Sequence, residues 1–447
     1  MGQRGSILTQ ILGFPGWRVV GIFFELPDGR RFTPVAGFAT PAGTRLVLRV
    51  ARRWKPKCGF CSGRGDVVHE LLPPRRWRDQ PWAGVAVDIE ARLCRVKCRR
   101  CRGHRVEHAP WAEPYQRQTM RFQQHLALEA ASMPVMHVAE LNGLGWATVR
   151  RAEGAALARW NATRVPVPLR QLGVDEKYLG RRNKLEEKFV TVVSNLETGE
   201  PLWIGFGRGA ATLSAFLATL TSAQKAELRL VAMDMHDPFL AAIRGDPDLA
   251  HVAVVHDPFH VVKRAGETVD ELRREVFFRA GAQRRGVGRG SRWLFLRAWE
   301  KCTPEQREQL DFLLGYNRTL ARAYQLKEEL REVLRAPDRA SMKLGIDRIL
   351  RRTQSKRCKP LRRLHDSLRR HLEPILALGE HRPAVGRVEA LNNNWETLVR
   401  RARGYRDLAY LLLKLRFMVA NPIRFADGVR RFLALGLPAP RPLAKPA

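Results

Sequence analysis

The chain has 447 residues, enough for several domains, and its hydrophobic content of 45% excludes wholesale disorder. Lys and Arg number 79 against 44 Asp and Glu, which gives a net charge of +35. Such an excess favours a polyanionic partner, most often nucleic acid, over a merely solubilising surface. No apolar run approaches the roughly 20 residues of a membrane span, and no secretory segment stands near the start. We therefore expect a soluble, cytoplasmic protein without membrane association.

Residues 1–110 predict a β-rich region that carries a metal site. Residues 1–50 are rich in β-branched and aromatic residues broken by Gly and Pro, which indicates short strands. Two Cys-x2-Cys pairs follow, separated by 36 residues: Cys58 with Cys61, and Cys98 with Cys101. Four thiolates are a typical ligand set for structural Zn²⁺, because a closed tetrahedral site leaves no position open for chemistry. Cys94, His69 and His104 are reserve ligands, more readily explained as a core thiol and surface imidazoles.

Residues 111–164 predict a helix-turn-helix. Three helical segments cover about 118–160, and Asn142-Gly143-Leu144-Gly145 breaks the chain before the last one. Recognition helices contact base edges near their N-terminal ends. The candidates for DNA contact are therefore Trp146, Thr148, Arg150 and Arg151. An ordinary helical hairpin is the alternative, but the basic surroundings favour DNA binding.

Residues 165–260 show the element order β-β-β-α-β-α-β, which predicts the first part of a ribonuclease-H-like α/β core. Asp175 lies in the first strand and Asp234 ends the fourth, each after an apolar run. A carboxylate in such a place is costly unless it is paired or bound to metal. Glu389 on a late helix completes a trio suited to Mg²⁺ (or Mn²⁺), which prefers carboxylate oxygens. Two such ions would support in-line attack on a phosphodiester.

Residues 261–380 predict a basic helical insertion in that core, with 29 Lys and Arg against 16 Asp and Glu. Within it, the Gly- and Arg-rich segment 284–292 indicates a flexible loop. Residues 381–435 would complete the core with the helix that carries Glu389. Residues 436–447, rich in Pro, are expected to form a disordered tail. The fold class is thus a multidomain α+β protein with a zinc module, a helix-turn-helix and an interrupted ribonuclease-H-like core.

The chain resembles bacterial insertion-sequence transposases of the L-three family, within the DDE superfamily. The features that carry the likeness are the Cys pairs, the helix-turn-helix, Asp175-Glu176, Asp234-Met235, Asp257-x-x-His260 and Glu389-Ala-Leu-Asn-Asn, followed by Arg400-Arg401-Ala-Arg-Gly-Tyr-Arg406. The last block is the most specific of these motifs.

The resemblance implies that Asp175, Asp234 and Glu389 form the catalytic metal-binding triad. It implies a supporting role for Asp257 and His260. The basic residues after Glu389 are expected to contact DNA: Arg400, Arg401, Arg403 and Arg406. The implied activity is binding of the element's terminal inverted repeats, metal-dependent strand cleavage, and transfer of the freed 3′-hydroxyl to target DNA. Pairing of two ends implies a homodimer or larger assembly on DNA.

Two other functions compete with this hypothesis. One is a catalytically silent DNA-binding regulator derived from a transposase, and the presence of all three acidic residues argues against it. The other is a metal-dependent nuclease without strand transfer, which the DNA-binding modules at the front of the chain disfavour.

Overall fold

The structure is a computed structural model. It describes residues 2–33, 41–63, 65–179, 186–279, 281–355, 357–402 and 405–420, with the backbone alone for 2–6 and 65–70. The tail predicted at 436–447 and Arg403 lie outside the described residues.

Strands and helices are numbered in chain order within the described residues. The strands are β1 Trp17–Glu25, β2 Arg31–Phe32, β3 Arg45–Arg52, β4 Gly65–Leu71, β5 Arg75–Trp82, β6 Val85–Ala91, β7 Cys94–Cys98, β8 Gly103–Val106, β9 Gln171–Tyr178, β10 Phe189–Asn195, β11 Pro201–Phe206, β12 Leu230–Met233 and β13 Ala253–His256. The helices are α1 Gly2–Leu12, α2 Met120–Ser132, α3 Val135–Leu141, α4 Trp146–Ala162, α5 Ala210–Leu217, α6 Ser222–Glu227, α7 Asp237–Arg244, α8 Pro258–Phe278, α9 Ala282–Gly288, α10 Arg292–Leu296, α11 Pro304–Gly315, α12 Arg318–Val333, α13 Arg339–Thr353, α14 Lys359–Arg370, α15 Leu372–Leu376, α16 Leu378–His381, α17 Gly386–Ala402 and α18 Leu408–Ala420.

The chain forms two compact units. The first comprises residues 1–165 and 398–447, and the second comprises residues 166–397. Helix α17 therefore begins in the second unit and ends in the first, and α18 belongs to the first. The domain boundaries expected from the sequence are finer than this division and stay predictions.

The first unit contains a five-stranded sheet, a three-stranded sheet and helices. The larger sheet has the order β2-β1-β3-β6-β5, and the smaller has the order β4-β7-β8. Trp17 and Trp77 pack edge-on against Trp111 with ring centroids about 5 Å apart, which forms an aromatic core beneath the larger sheet. The buried carboxylate of Asp79 on β5 accepts hydrogen bonds from Thr119 and Arg121 at the start of α2, both 2.7 Å long. These bonds tie the sheet to the helices.

The second unit is built on a mixed sheet with the order β11-β10-β9-β12-β13. The first three strands are antiparallel, whereas β12 pairs in parallel with both β9 and β13. Because successive side chains of a strand point to opposite faces, apolar residues of β12 and β13 feed two separate cores. One core lies under α5 and α7, and the other is continuous with the helical segment α8–α16. The sheet is thus covered on both faces. The strand order along the chain is as predicted, but two short helices, α5 and α6, stand where the sequence predicted one helix.

Two local expectations were wrong. The region 1–50 was predicted to form strands, but residues 2–12 form α1 before the strands begin. The loop predicted at 284–292 is helical over 284–288, within α9. Gly288 lies so close to Phe277 that a Cβ on it would be 2.5 Å from Phe277 Cβ and 2.6 Å from Cγ of the ring. This glycine therefore serves close helix packing instead of chain flexibility.

Candidate functional site

Three aspartates lie side by side towards the carboxyl ends of three neighbouring strands of the central sheet. In the last paired row of the parallel strands, Val174 lies beside Met233, and Met233 lies beside His256. The next residue of each strand is an aspartate, in the order Asp175, Asp234 and Asp257. The Asp257 N–H donates to the Met233 carbonyl over 3.0 Å, which continues the ladder to this point. Parallel pairing thus brings three carboxylates from separate segments to neighbouring positions.

His260 completes a compact group with two of these carboxylates. Its Nδ1 lies 2.9 Å from Asp234 Oδ2. Ligand atoms of Asp234, Asp257 and His260 lie within 4.8 Å of one another, close enough for one metal ion. Asp257 also caps α8, because its Oδ1 accepts the Phe259 N–H over 2.8 Å. The two residues expected to support the site are therefore placed directly at Asp234.

Asp175 is buried, with 7% of its surface exposed, and it has a basic partner. Lys177 Nζ lies 2.7 Å from Asp175 Oδ2, and the Glu176 N–H donates to Asp175 Oδ1 over 2.8 Å. The ammonium group compensates a charge that burial would otherwise penalise. Sequence analysis missed Lys177, although its place two residues after Asp175 puts both side chains on one face of β9.

The carboxylates act on one another electrostatically. Burial raises the pKa of Asp257, and the charges of Asp234 and Asp175 raise it further. The hydrogen bond from the Phe259 N–H has the opposite effect but does not cancel the rise. Burial alone would lower the pKa of His260, but its hydrogen bond to Asp234 and the nearby carboxylates outweigh burial and raise it. The cluster therefore carries an excess of negative charge at a half-buried position. A bound cation would relieve this repulsion.

Glu389 is exposed in the first turn of α17. The preceding residue, Val388, touches β9 so closely that a Cβ on Gly173 would lie 2.9 Å from its Cγ2. Arg387 also donates to the Leu196 carbonyl over 3.0 Å. These contacts fix the start of α17 on the strand that carries Asp175. Among the described residues, however, neither Glu389 nor Asp175 belongs to the group around Asp234 in which all ligand atoms lie within 4.8 Å.

A buried pair of histidines connects these strand ends to the helical segment. His256 precedes Asp257, and its Nε2 lies 3.0 Å from Nδ1 of His371, between α14 and α15. On the other side, His256 Nδ1 lies 3.3 Å from the Met233 carbonyl. His371 Nε2 in turn lies 3.2 Å from Asp237 Oδ1. This chain of hydrogen bonds joins residues more than 100 positions apart directly behind the aspartates.

We expect this pair to make the protein less stable in mild acid. Burial, with a smaller effect of His371, lowers the pKa of His256 to about 4, below the unfolded value near 6.5. The unfolded chain thus binds the proton first, so the stabilisation is complete above pH 6.5 and is lost as the pH falls towards 4. The loss is about 1 kcal/mol at pH 5.5 and about 3 kcal/mol in full. Denaturant unfolding at pH 7.5 and 5.5 measures this loss as a difference in the free energy of unfolding. If the His256→Gln protein showed the same difference between the two pH values, the assignment to His256 would be contradicted.

The two Cys-x2-Cys pairs come together in the first unit. Ligand atoms of the four residues lie within 4.8 Å of one another, and Cys61 Sγ is 3.5 Å from Cys98 Sγ. The Phe60 N–H donates to Cys58 Sγ and the Cys101 N–H donates to Cys98 Sγ, each over 3.4 Å. Hydrogen bonding with Cys61 is the main cause that raises the pKa of Cys101 to about 12, followed by burial and the other two thiols. Four thiolates would not coexist here without a cation, so the donor set fits a tetrahedral metal ion.

Among the described side chains, the reserve ligands Cys94 and His104 do not join this group. Cys94 is buried at the start of β7 but is not in the four-thiol cluster. His104 is likewise outside it, and the side chain of His69 lies outside the described residues. The 36-residue spacer that separates the two pairs is bridged because β7 pairs with β4, which places Cys98 beside Gly65.

Helices α2, α3 and α4 form the predicted helix-turn-helix. Thr119 caps α2 by accepting the Phe122 N–H over 3.2 Å. Gly143 has a φ of +58° in the turn before α4, a conformation that favours glycine. Trp146 is 50% exposed at the first position of α4, and Arg151 is exposed one turn later. Thr148 is half-buried between them.

Arg150 has partners within the protein. Its guanidinium lies 3.3 Å from the ring centroid of Tyr410, and its Nη2 is 2.6 Å from Asp407 Oδ2. Tyr410 also donates to the buried carboxylate of Glu153, which pairs with Lys414 over 2.6 Å. Helix α18 is thus attached to α4 by buried charges. The role of Arg150 in DNA contact stays a prediction, with this competing set of contacts.

Arginines near the end of α17 have mixed surroundings. Arg400 and Arg406 are exposed. Arg401 is exposed and donates to the Ala131 carbonyl over 2.9 Å.

In the described part of the chain, no helix is long and apolar enough to cross a membrane.

Comparison with known proteins gives consistent matches over most of the chain. A family model described as transposase matches residues 172–415, and one described as the helix-turn-helix domain of transposase family ISL3 matches residues 107–152. The chain is 31% identical over 364 residues to the transposase for insertion sequence element IS1001 of Bordetella parapertussis, covering 80% of this chain and 87% of that protein. It is 30% identical over 397 residues to the transposase for IS1557 of Mycobacterium tuberculosis, covering 82% and 86%.

Proposed function

This chain belongs to transposase family ISL3, and on that premise we propose that it cuts and joins DNA at the ends of its own insertion sequence. It is an insertion-sequence transposase that binds DNA, and its family implies use of a divalent metal ion. The finer proposal is a DDE mechanism, in which three acidic residues hold two Mg²⁺ or Mn²⁺ ions. The observation that carries it is the row of three aspartates formed by Asp175 within β9 and the residues that follow β12 and β13.

The central sheet supports a ribonuclease-H-like core. Its order, with three antiparallel strands followed by two parallel ones, is the order that this fold predicts. Parallel strands bring their carboxyl ends to one edge, where ligands of open α/β sheets bind. The helical insertion then separates Asp234 from Glu389 by 154 residues in sequence. The first turn of α17 nevertheless returns to β9.

The proposed metal ligands are Asp175, Asp234 and Glu389. All three offer hard oxygen donors, the type that Mg²⁺ prefers. When bound, the ions would supply the charge that activates a water or 3′-hydroxyl and stabilises the leaving oxygen of a phosphodiester. Burial, and to a smaller extent the charges of Asp234 and Asp175, raises the pKa of Asp257, so a cation at this site would be favourable. Val388 against Gly173 holds α17 so that Glu389 starts beside the strand of Asp175.

The surrounding residues orient these carboxylates. His260 holds Asp234 through Oδ2, and Asp257 fixes the start of the helix that carries His260. Lys177 holds Asp175 and places a positive charge where phosphate oxygens would approach. No side chain is needed as a covalent nucleophile in this scheme, so the protein's task is positioning and charge neutralisation.

The remaining modules would hold DNA. We assign structural Zn²⁺ to the four thiols of Cys58, Cys61, Cys98 and Cys101, since such a closed site has no open position for chemistry. The helix-turn-helix would read the terminal inverted repeats from the start of α4. The basic helical segment would bind phosphates without sequence preference. Pairing of two element ends would require a dimer or a larger assembly.

A cleavage assay tests this proposal. The DNA that flanks the gene is searched for terminal inverted repeats, and labelled duplexes of those ends are incubated with the protein and Mg²⁺. We expect nicks at the element boundary and joined products with a second duplex. Joined products distinguish a transposase from a nuclease without strand transfer. Binding without any cleavage would instead favour a catalytically silent regulator. Membership of a transposase family does not favour that alternative.

DNA affinity should fall steeply with salt. If Lys and Arg neutralise phosphates, the logarithm of the binding constant falls linearly with the logarithm of salt, by roughly 0.9 for each phosphate contacted. The exposed Arg151→Gln variant removes one charge and should lower the slope by about one if that residue contacts phosphate. Fluorescence anisotropy between low and physiological salt measures both effects. An essentially flat dependence would leave the net charge of +35 without this explanation.

A further inference from the structure

A cavity of about 430 Å³ opens in the first unit beside the four-thiol cluster. Three aromatic residues line it: Phe60, Trp77 and Tyr115. Phe60 is 79% exposed and Tyr115 is 92% exposed, whereas Trp77 is buried. Single exposed apolar residues are common, but two large rings at the mouth of one cavity indicate a binding surface.

Phe60 is held rigidly in its exposed position. It lies between two cysteines of the cluster, and its N–H donates to Cys58 Sγ. The preceding residue, Gly59, approaches β8 so closely that a Cβ would lie 2.5 Å from the Val106 carbonyl oxygen. The ring therefore sits on a fixed turn, and a ligand that stacks on it loses little of its affinity to ordering of the loop.

The charges at the cavity favour an anionic ligand. The Arg105 guanidinium lies 5.9 Å from the Phe60 ring centroid, and the Arg75 guanidinium lies 5.2 Å from that of Trp77. Nε of Arg75 is buried without a hydrogen-bond partner. Both arginines make hydrogen bonds to the backbone: Arg75 Nη2 donates to the Gln116 carbonyl over 3.2 Å, and Arg105 Nη1 donates to the His104 carbonyl over 3.5 Å.

The acidic residues of the cavity are already paired. Glu107 lies 2.8 Å from Nε of Arg52, and Glu113 lies 3.6 Å from Nη1 of Arg159. The remaining N–H groups of Arg75 and Arg105 are therefore available to phosphate oxygens, while Glu107 and Glu113 are compensated by arginines outside the lining.

We propose that this cavity binds an unstacked base of DNA, which stacks on Phe60 and Tyr115 while Arg75 and Arg105 contact its phosphates. The proposal rests on the proposed function in that DNA is the ligand. Bases of an intact duplex cover each other's faces, so aromatic platforms serve unpaired bases. The volume lies in the range of sites that enclose one small organic group.

The probe is a labelled 20-nucleotide strand of thymidines, compared with a 20-base-pair duplex, in the full-length protein. Phe60→Ala and Tyr115→Ala should each weaken binding of the single strand by about tenfold or more, and binding of the duplex by less than about twofold. Phe60→Trp should keep the affinity. The matched control is Phe312→Ala, since Phe312 is 62% exposed, lies on α11 of the second unit and does not line the cavity.

A photo-crosslink identifies the site directly. A thymidine replaced by 5-iodouracil should crosslink to peptides that contain Phe60 or Tyr115. Unchanged single-strand affinity in both variants, an equal loss in Phe312→Ala, or crosslinks only to other regions would each overturn the proposal. Variants that change the oligomer mass while leaving affinity intact would assign the cavity to a protein partner and overturn it too. The probe carries no element sequence and needs no cleavage, so failure of the proposed transposition chemistry would not affect this result.

Discussion

Replacement of any one triad carboxylate by its amide should abolish strand cleavage and joining while DNA-end binding stays within about threefold of wild type. The variants are Asp175→Asn, Asp234→Asn and Glu389→Gln. Each keeps the shape of the side chain but removes the charge that would neutralise a metal ion. We expect a loss of at least about 10³-fold, or about 4 kcal/mol of transition-state stabilisation. The measurement is Mg²⁺-dependent cleavage of labelled ends beside a gel-shift at matched salt.

Asp237→Asn provides the matched control. Asp237 is an exposed carboxylate three residues after Asp234, and the amide can still bond to His371. It should retain most of the cleavage rate. Near wild-type cutting by Glu389→Gln would show that the third ligand is misassigned. Asp257 would then be the next candidate, because its ligand atom already lies within 4.8 Å of those of Asp234 and His260.

Loss of one thiol from the four-cysteine cluster should release zinc and unfold the small sheet. Binding of structural Zn²⁺ contributes about 10–16 kcal/mol in small zinc-binding domains, which matches or exceeds the stability of a typical domain. We therefore expect purified protein to contain about one zinc per chain and Cys58→Ser or Cys101→Ser to contain almost none. Elemental analysis and limited proteolysis around β4, β7 and β8 measure both effects.

Cys94→Ala distinguishes a ligand from a neighbouring core thiol. Cys94 is buried in the same sheet, but it lies outside the four-thiol group. Its removal should leave the zinc content unchanged. Full folding and DNA binding by metal-free protein would contradict the structural role of the site.

Sequence patterns within single segments predicted those parts of the fold that depend on neighbouring residues in the chain. The helix-turn-helix followed from apolar spacing and a glycine turn, and Gly143 does adopt a positive φ there. The places of Asp175 within the first strand and of Asp234 just after the fourth followed from apolar runs that precede each carboxylate. The same pattern before Asp257 was available as a signal, but its register beside Asp234 depends on parallel pairing with β12. A single sequence does not display that pairing.

Contacts between distant segments left no such signal. The bond between His256 and His371 joins positions 115 residues apart, and the pair of Glu153 and Lys414 joins positions 261 residues apart. The pair of Glu153 and Lys414 lies where α18 packs on α4. This packing could not be predicted from the sequence of either helix alone. Nor could the return of Val388 to Gly173, because it depends on how the whole helical segment closes.

The most direct test of the account is a change of metal preference in Asp234→Cys. A thiolate is a poor ligand for Mg²⁺, but it binds Mn²⁺ better, since affinity for softer donors increases towards the transition metals. If Asp234 ligates the ion that promotes cleavage, the variant should be inactive in Mg²⁺ and recover measurable cutting and joining in Mn²⁺, whereas Asp234→Asn stays inactive in both. Equal inactivity of Asp234→Cys in both metals, with DNA-end binding intact, would contradict direct metal ligation by Asp234.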